Sequence, residues 1–420
     1  MTPSETPSLS IDGSGPYPVA RPASVAEVAD LIRAARATGT AIYPHGGGTQ
    51  QYLGDPPTRP GTVVDGRGLN AVIDYPARDL TVTVQAGITI AALAALLAAE
   101  GQELPVDVPN PEVATLGGAL ATNRSGPRRL SRGTLRDALI GVSFLTDEGV
   151  EVKGGGRVVK NVAGYDLMKL HVGALGTLGL LTQVTLKLTP LAEERAFVAF
   201  GLNAATVGPT LDRLHASHAR PGILELLNAA AARKLGVALP GNDEWVIVAG
   251  FEEKRVTVAY QVAALKAELA TAPVRDATEF RGPTATALLT ALTQNLAEPA
   301  EGVSFKASVL PSRLAAFALD AATHHGAAVH AHALVGVAYA HLPADVSRED
   351  ASTMLARLTP KDGGSLVVRR CPPAWKAVLP GLPHGGVNFD LMRGVKRTLD
   401  PHDVFNPGRL FRDAERKDSP

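Results

Sequence analysis

The chain has one cysteine, Cys371, in 420 residues. A single thiol excludes an internal disulfide and any iron–sulfur cluster built from this chain alone, since both need several sulfur ligands. It fits a reducing compartment. An excess of one charge is also missing. Lys and Arg number 41, Asp and Glu 41, for a formal net charge of +0. Broad nucleic-acid binding normally needs a basic surface, so this balance argues against it. Long hydrophobic runs are absent too. The longest, Ile88 to Ala99, is Ala-rich and too short to span a bilayer. The first residues, Met1 to Pro22, are polar and rich in Pro, Ser and Gly, without the apolar centre of a signal peptide. A cytoplasmic protein is expected. Neither the G-x-G-x-x-G of a dinucleotide-binding Rossmann unit nor the G-x-x-x-x-G-K-[ST] P-loop matches its main glycine cluster.

What is present is a composition that can build large cores: 45% hydrophobic and 20% charged residues, in a length that suits two or three domains. The glycine cluster is Pro44-His45-Gly46-Gly47-Gly48-Thr49. It follows a short strand signal, Thr40–Tyr43, and a helix that opens with the S-x-x-E capping box Ser24–Glu27 and closes at Gly39. Consecutive glycines cost chain entropy, and they serve where the backbone turns sharply and brings its N–H groups close to an anion such as phosphate. A plain glycine-rich surface turn is the competing reading.

A second cluster runs from Ala114 to Gly126, with Thr115, Gly117 and Gly118 opening a small-residue segment. A helix starting there is expected to offer free N–H groups to an anion. Arg128, Arg129, Arg132 and Arg136 follow, and a solvated basic loop accounts for most of them. Two anion loops suit a diphosphate. Further on, Ala138–Thr146 and Val150–Val152 read as a hairpin around Asp147-Glu148-Gly149. Glycines recur through Gly173, Gly176 and Gly179 before the alternating strand Leu180–Leu188, which marks close backbone approach. After Pro190 the glycine loops stop, and helix and strand signals alternate.

Four segments together resemble a known family. Pro44–Thr49, the stretch Val106-Asp107-Val108-Pro109 through Thr115–Gly126, and Lys160–Thr182 resemble the FAD-binding domain of the vanillyl-alcohol oxidase and p-cresol methylhydroxylase (PCMH) superfamily. The segment Leu399-Asp400-Pro401-His402-Asp403-Val404-Phe405-Asn406-Pro407-Gly408-Arg409 resembles the D-P-x-x-x-x-N-P-G tail of its 2-hydroxy-acid dehydrogenase branch. Within that branch the size and the segment Lys160–Leu170 are most similar to the FAD-binding accessory subunit of bacterial glycolate oxidase. The resemblance implies an α+β fold. A flexible N-terminus (1–14) precedes a PCMH-type two-part FAD-binding domain (15–190). An antiparallel-sheet α+β cap domain with helices on one face follows (191–395), and then a tail returning to the FAD domain (396–413).

The same resemblance places FAD on His45, Gly46, Gly47, Gly48 and Thr49, on Asp107, Pro109, Thr115, Leu116, Gly117, Gly118, Thr122 and Asn123, and on Leu180, Leu181 and Thr182. Relatives with covalent flavin often carry a His just after the first loop. Gln50 and Gln51 stand there instead, so FAD is expected to be non-covalent and His45 to be a partly buried, hydrogen-bonded residue. The catalytic relatives carry G-H-x-G-D-G-N-x-H in the second domain. The corresponding stretch, His330 to His341, lacks its Asp, Asn and final His. His330 and His332 alternate on a strand with no nearby carboxylate in the sequence. They are read as strand histidines on a half-exposed sheet, and no metal is expected. Arg369 and Arg370 are candidate carboxylate or partner contacts, or else charges protecting an exposed strand edge. Lys160 and Arg281 are lesser candidates.

The implied function is that of an FAD-binding subunit of a complex oxidising glycolate, a small 2-hydroxy acid, to glyoxylate. Its partners would be a second flavin subunit and an iron–sulfur subunit, with any membrane association arising through them. The alternatives are a stand-alone FAD-dependent glycolate or lactate dehydrogenase, and a structural subunit without its own turnover.

Overall fold

The computed structural model describes residues 7–156, 166–240, 244–323, 326–361, 363–379 and 387–411. The chain divides into two compact units. One comprises 1–124, 134–190 and 380–420; the other comprises 125–133 and 191–379.

The first unit holds two main sheets. In the smaller, Ser8–Ile11, Ser14–Ala20, Gly61–Asp65 and Ala41–His45 lie in that order. The last three pair in parallel, and the first pair is antiparallel. The stretch 8–14, expected to be flexible, is therefore strand and turn. Ile11 and Tyr17 are buried against Ala41, Tyr43 and Val63, which supplies the apolar contact that ties this end down. The helix Val25–Thr38 is capped by Ser24, which accepts from the Glu27 amide, and it ends at Gly39 in the left-handed region (φ 67°). Its buried stripe of Val28, Ile32 and Ala35 packs on Ile42, Val64 and Phe405.

The larger sheet of this unit is antiparallel, in the order Val72–Asp74, Thr81–Gln85, Leu180–Lys187, Leu139–Leu145, Glu151–Gly155. Its core joins Val82, Val84, Val142, Val184 and Leu186 to Leu93 and Leu97 of the helix Ile90–Ala98. The C-terminal chain returns to this unit. The Ile42 amide donates to Val404 O at 2.8 Å, and the Asn406 amide donates to Ile42 O at 3.0 Å. The Lys396 ammonium is buried, donating to Thr177 O and Phe405 O at 2.9 Å each and pairing with Asp400.

The second unit is built on eight antiparallel strands. Their order is Arg275–Arg281, Glu194–Leu202, Trp245–Glu253, Ile223–Asn228, Ala328–His332, Val337–Leu342, Val303–Ser308, Ser365–Arg370. Helices cover both faces, not one. Ala204–His215, Arg255–Leu269, Leu314–Ala322 and Arg348–Leu358 pack on the face of Val198, Phe200 and Ile247. Ala229–Arg233 and Gly282–Gln294 pack on the face of Phe197, Ala199 and Val248. Continuous apolar runs such as Ala196–Leu202 expose hydrophobic side chains on both sides of a strand, so both need cover.

Two boundaries differ from the expected ones. The C-terminal portion of the first unit begins after Leu379, well before residue 396. The segment Ser125–Gly133 groups with the second unit, and two of its arginines are engaged there. Arg128 and Arg132 lie 4.0 and 3.8 Å from the buried Glu252 carboxylate, and Arg195 pairs with the same group. Arg132 also donates to Glu252 O at 3.2 Å. A solvated basic loop is therefore wrong for Arg128 and Arg132: one carboxylate draws their guanidinium groups inward.

Candidate cofactor cleft and the histidines of the second unit

The first glycine loop leaves the strand Ala41–His45 at the edge of a cleft of about 1070 Å³, open space at its mouth included. The loop packs so tightly that side chains are excluded. A Cβ on Gly47 would stand 1.9 Å from the Val113 carbonyl oxygen, and one on Gly46 would stand 2.1 Å from Thr115 Oγ1. Gly48 has φ +71°, a left-handed conformation that glycine adopts without steric cost. Among the described residues, no acceptor takes the amide N–H of Gly47, Gly48 or Thr49. These donors line the cleft.

The second loop behaves differently from expectation. Thr115 caps the six-residue helix Leu116–Ala121. The amides expected to be free at its start are already used: Leu116 N donates to Ile88 O at 2.9 Å, Gly117 N to Ala86 O at 2.8 Å, and Gly118 N to Thr115 Oγ1 at 3.3 Å. This segment supplies a small-residue wall and no second set of anion donors.

Of the residues named from the sequence, His45 to Thr49, Thr115, Gly117, Gly118, Thr122, Leu180 and Leu181 line the cleft. Asp107, Pro109, Leu116, Asn123 and Thr182 are not among its lining residues. Leu116 is fully buried in the core, and Thr182 spends its hydroxyl on Glu151 at 2.9 Å. Asn123 is exposed in the left-handed region (φ 49°). The segment 160–165, including Lys160, lies outside the described residues. Arg281 pairs with Glu194 and Glu279.

His45 is partly buried, and its Nδ1 meets Gln51 Nε2 at 2.5 Å. Burial pushes its imidazole below the ordinary value, against the opposing charge of Asp65. Sequence reasoning missed other lining groups. Gln51, His171, Gly176, Gly179, Asn406 and Arg409 all face the cleft. The tail motif contains Asn406 and Arg409, so the signal was visible without its role. His171, Gly176 and Gly179 lie within Lys160–Thr182, the segment that the resemblance covers, with no FAD contact assigned to them.

In the second unit, His330 and His332 are buried, not half-exposed. Both rings converge on Glu225. His330 Nε2 lies 2.7 Å from Glu225 Oε2, and His332 Nδ1 lies 2.8 Å from the same oxygen. The sheet register makes this contact, since Glu225 stands opposite His332 and Leu227 opposite His330. The carboxylate judged absent from sequence is thus supplied by another strand. Two His and one Glu are ligand types for a metal. Around zinc, with bonds of about 2.0–2.1 Å, tetrahedral ligand atoms stand roughly 3.3 Å apart. The shorter separations here are those of hydrogen bonds. Burial alone would push the Glu225 carboxyl up. The charge of His332 and the hydrogen bonds from both rings more than offset that and hold it at about 2. On the terminal strand Ser365–Arg370, Arg369 is also buried. Its Nε donates to Glu298 Oε1 at 2.9 Å, so it is not a charge guarding an exposed edge. Arg370 is half-buried.

Two family models match the chain: an FAD binding domain over residues 16–155, and the C-terminal domain of FAD linked oxidases over residues 383–410. The glycolate oxidase subunit GlcD of Bacillus subtilis (strain 168) is 24% identical over 432 residues, covering 96% of this chain and 91% of that protein. The glycolate oxidase subunit GlcE of Escherichia coli (strain K12) is 38% identical over 152 residues, 36% of this chain and 43% of that protein. The crystal structure of p-cresol methylhydroxylase with substrate bound superposes with a TM-score of 0.71 at 15% identity, covering 93% of this chain and 88% of that one. That likeness is one of fold. The cofactor is FAD, and the cleft fits it. Loop amides with no acceptor among the described residues suit the diphosphate, Leu69, Leu175, Leu180 and Leu181 suit flat rings, and the buried ring nitrogen His171 Nε2 has no partner among those residues.

Proposed function

We propose that this FAD-linked oxidoreductase, with its PCMH-type α+β fold, is the FAD-binding subunit of a cytoplasmic complex that oxidises glycolate, a 2-hydroxy acid, to glyoxylate. Its similarity to GlcD along nearly the whole chain, and to GlcE over a shorter stretch, supports that reading. In it, the amides of Gly47, Gly48 and Thr49 hold the diphosphate, with Gly46 giving the loop its close approach to Thr115. Thr115, Gly117, Gly118 and Thr122 form one wall, and Leu180 and Leu181 another. Asp107, Pro109, Leu116, Asn123 and Thr182, which do not line the cleft, are left out of this binding set. His45, held by Gln51, stays a hydrogen-bonding residue, so FAD is bound without a covalent link.

When bound, FAD supplies an acceptor for two electrons and a hydride. Oxidising a 2-hydroxy acid also needs a base for the hydroxyl proton and a cation for the carboxylate. The observation that carries the accessory role is that, among the described residues, three of the candidates named from the sequence are already engaged. His330 and His332 are buried on Glu225, and Arg369 is buried on Glu298. The complete substrate site then belongs to a second flavin subunit. With one cysteine in the chain, onward electron transfer would pass to an iron–sulfur subunit. No helix among the described residues is long and apolar enough to cross a membrane, so membrane association would come through partners.

The test is a visible absorption spectrum of the chain purified alone, followed by anaerobic addition of glycolate. Bound flavin that stays oxidised until partner subunits are added is the expected result. Bleaching by glycolate alone would make the chain a dehydrogenase in its own right. Absence of flavin after FAD is supplied would make it a structural subunit.

A further inference from the structure

We infer that His171 is a neutral hydrogen-bonding residue of the cofactor cleft, contacting an uncharged heteroaromatic ring of FAD through its imidazole. The inference rests on the FAD reading of the cleft. His171 ends the short helical turn Leu167–His171 and forms part of the cleft wall. Its ring lies on Phe144, with centroids 4.1 Å apart and planes tilted by 49°. A Cβ on Gly179, the residue before Leu180, would come within 3.6 Å of its Cε1, so the ring sits beside the apolar side of the cleft.

His171 is 4% exposed, and its Nε2 is buried without a hydrogen-bond partner among the described residues. A neutral imidazole carries one donor and one acceptor, and leaving either unmet in a buried place is costly. Phenylalanine or leucine would fill the same space without that cost. A ligand that completes the hydrogen bonding gives the imidazole its purpose. Burial, with no charged neighbour contributing, pushes the group down to about 4, so it is uncharged near neutrality. An uncharged imidazole in an apolar wall suits the carbonyl and nitrogen edge of a ring better than a diphosphate, which the loop amides already serve.

The experiment titrates the refolded apo chain with FAD, riboflavin and ADP, and follows thermal stability with and without FAD. The variants are His171→Phe, which keeps the contact with Phe144, and His171→Gln, which restores a donor and an acceptor. His171→Phe should weaken FAD binding about tenfold while leaving the apo chain at least as stable as the wild type; His171→Gln should recover part of the affinity. A purely structural histidine would instead lower apo stability and leave affinity untouched. Loss of riboflavin affinity with a shifted visible spectrum assigns the contact to the isoalloxazine, and loss of ADP affinity assigns it to the adenine. If His171→Phe does not fold, the wild-type Nε2 nitrogen resonance decides: it should move on FAD addition, and a static signal overturns the inference. Equal FAD affinity in wild type and both variants also overturns it and leaves the FAD reading intact. A wild-type chain that binds no FAD overturns both.

Discussion

The guanidinium of Arg409 donates to the Leu53 carbonyl oxygen at 2.6 Å, joining positions 356 residues apart. It also donates to Asp55 O at 2.6 Å and to Gln51 O, with Asp12 Oδ2 at 3.4 Å. One planar cation thus fastens the chain that follows the glycine loop. Burial lowers its proton affinity and the Asp12 charge opposes that, so the group remains a cation.

Replacing Arg409 with Lys should therefore fail as a conservative change. An ammonium cannot present the fixed fork that reaches three carbonyl groups at once. We expect a loss of about 2–4 kcal/mol in stability and of most retained flavin. Chemical denaturation and the flavin-to-protein absorbance ratio check this; an unchanged ratio in R409K would refute the fastening role.

Gly47→Ala and Gly118→Ala should separate backbone packing from loop flexibility. The new methyl at 47 meets a backbone oxygen at 1.9 Å, whereas at 118 it meets a side-chain hydroxyl at 3.1 Å. The first should cost about 3 kcal/mol or more and release FAD; the second should stay within about 1 kcal/mol of wild type. Equal melting temperatures for the two variants would show that the loops are not packed this closely.

Glu225→Gln removes the charge that two buried histidines share. Losing one partner of such a cluster costs about 3–5 kcal/mol near neutrality. The carboxyl is held at about 2 in the folded chain against 4.5 ordinarily. Its contribution is complete above the ordinary value and disappears as the pH falls toward the folded one. The gap between wild type and E225Q should thus shrink as denaturation is repeated at falling pH below about 5. A constant gap would mean that the carboxylate is not held by charge.

His171 gives the opposite bookkeeping for a base. Its imidazole sits at about 4 when folded against 6.5 ordinarily. Below the ordinary value the unfolded chain takes up a proton that the folded chain refuses, so stability falls as the pH drops from about 6.5 toward 4. The loss reaches about 3 kcal/mol, from about 1.4 kcal/mol per pH unit over the interval. His171→Phe should flatten this part of the apo chain's stability profile. Parallel profiles would place the titration elsewhere.

Local signals were legible where they are set by the chain's immediate neighbours. Ser24, Glu27 and Gly39 delimit their helix as expected, because caps act over one turn of backbone. The hairpin around Glu148 and the strand at Leu180 were likewise visible from alternation and turn residues. The free amides expected at Gly117 and Gly118 were misjudged because their acceptors, Ala86 O and Thr115 Oγ1, are fixed by packing and capping that glycine content does not reveal.

By itself the sequence determined that a glycine loop needs backbone where side chains do not fit, that one thiol excludes a cluster, and that two apolar blocks fold with mixed α and β elements. These follow from residue type and spacing. Only the tertiary structure decided which charges meet. Glu225 reaches His332 through strand register, Arg369 reaches Glu298, and Arg409 reaches Asp12. Such partners are far apart in sequence, and burial makes their pairing obligatory: a charge removed from water must find its complement wherever the fold brings one.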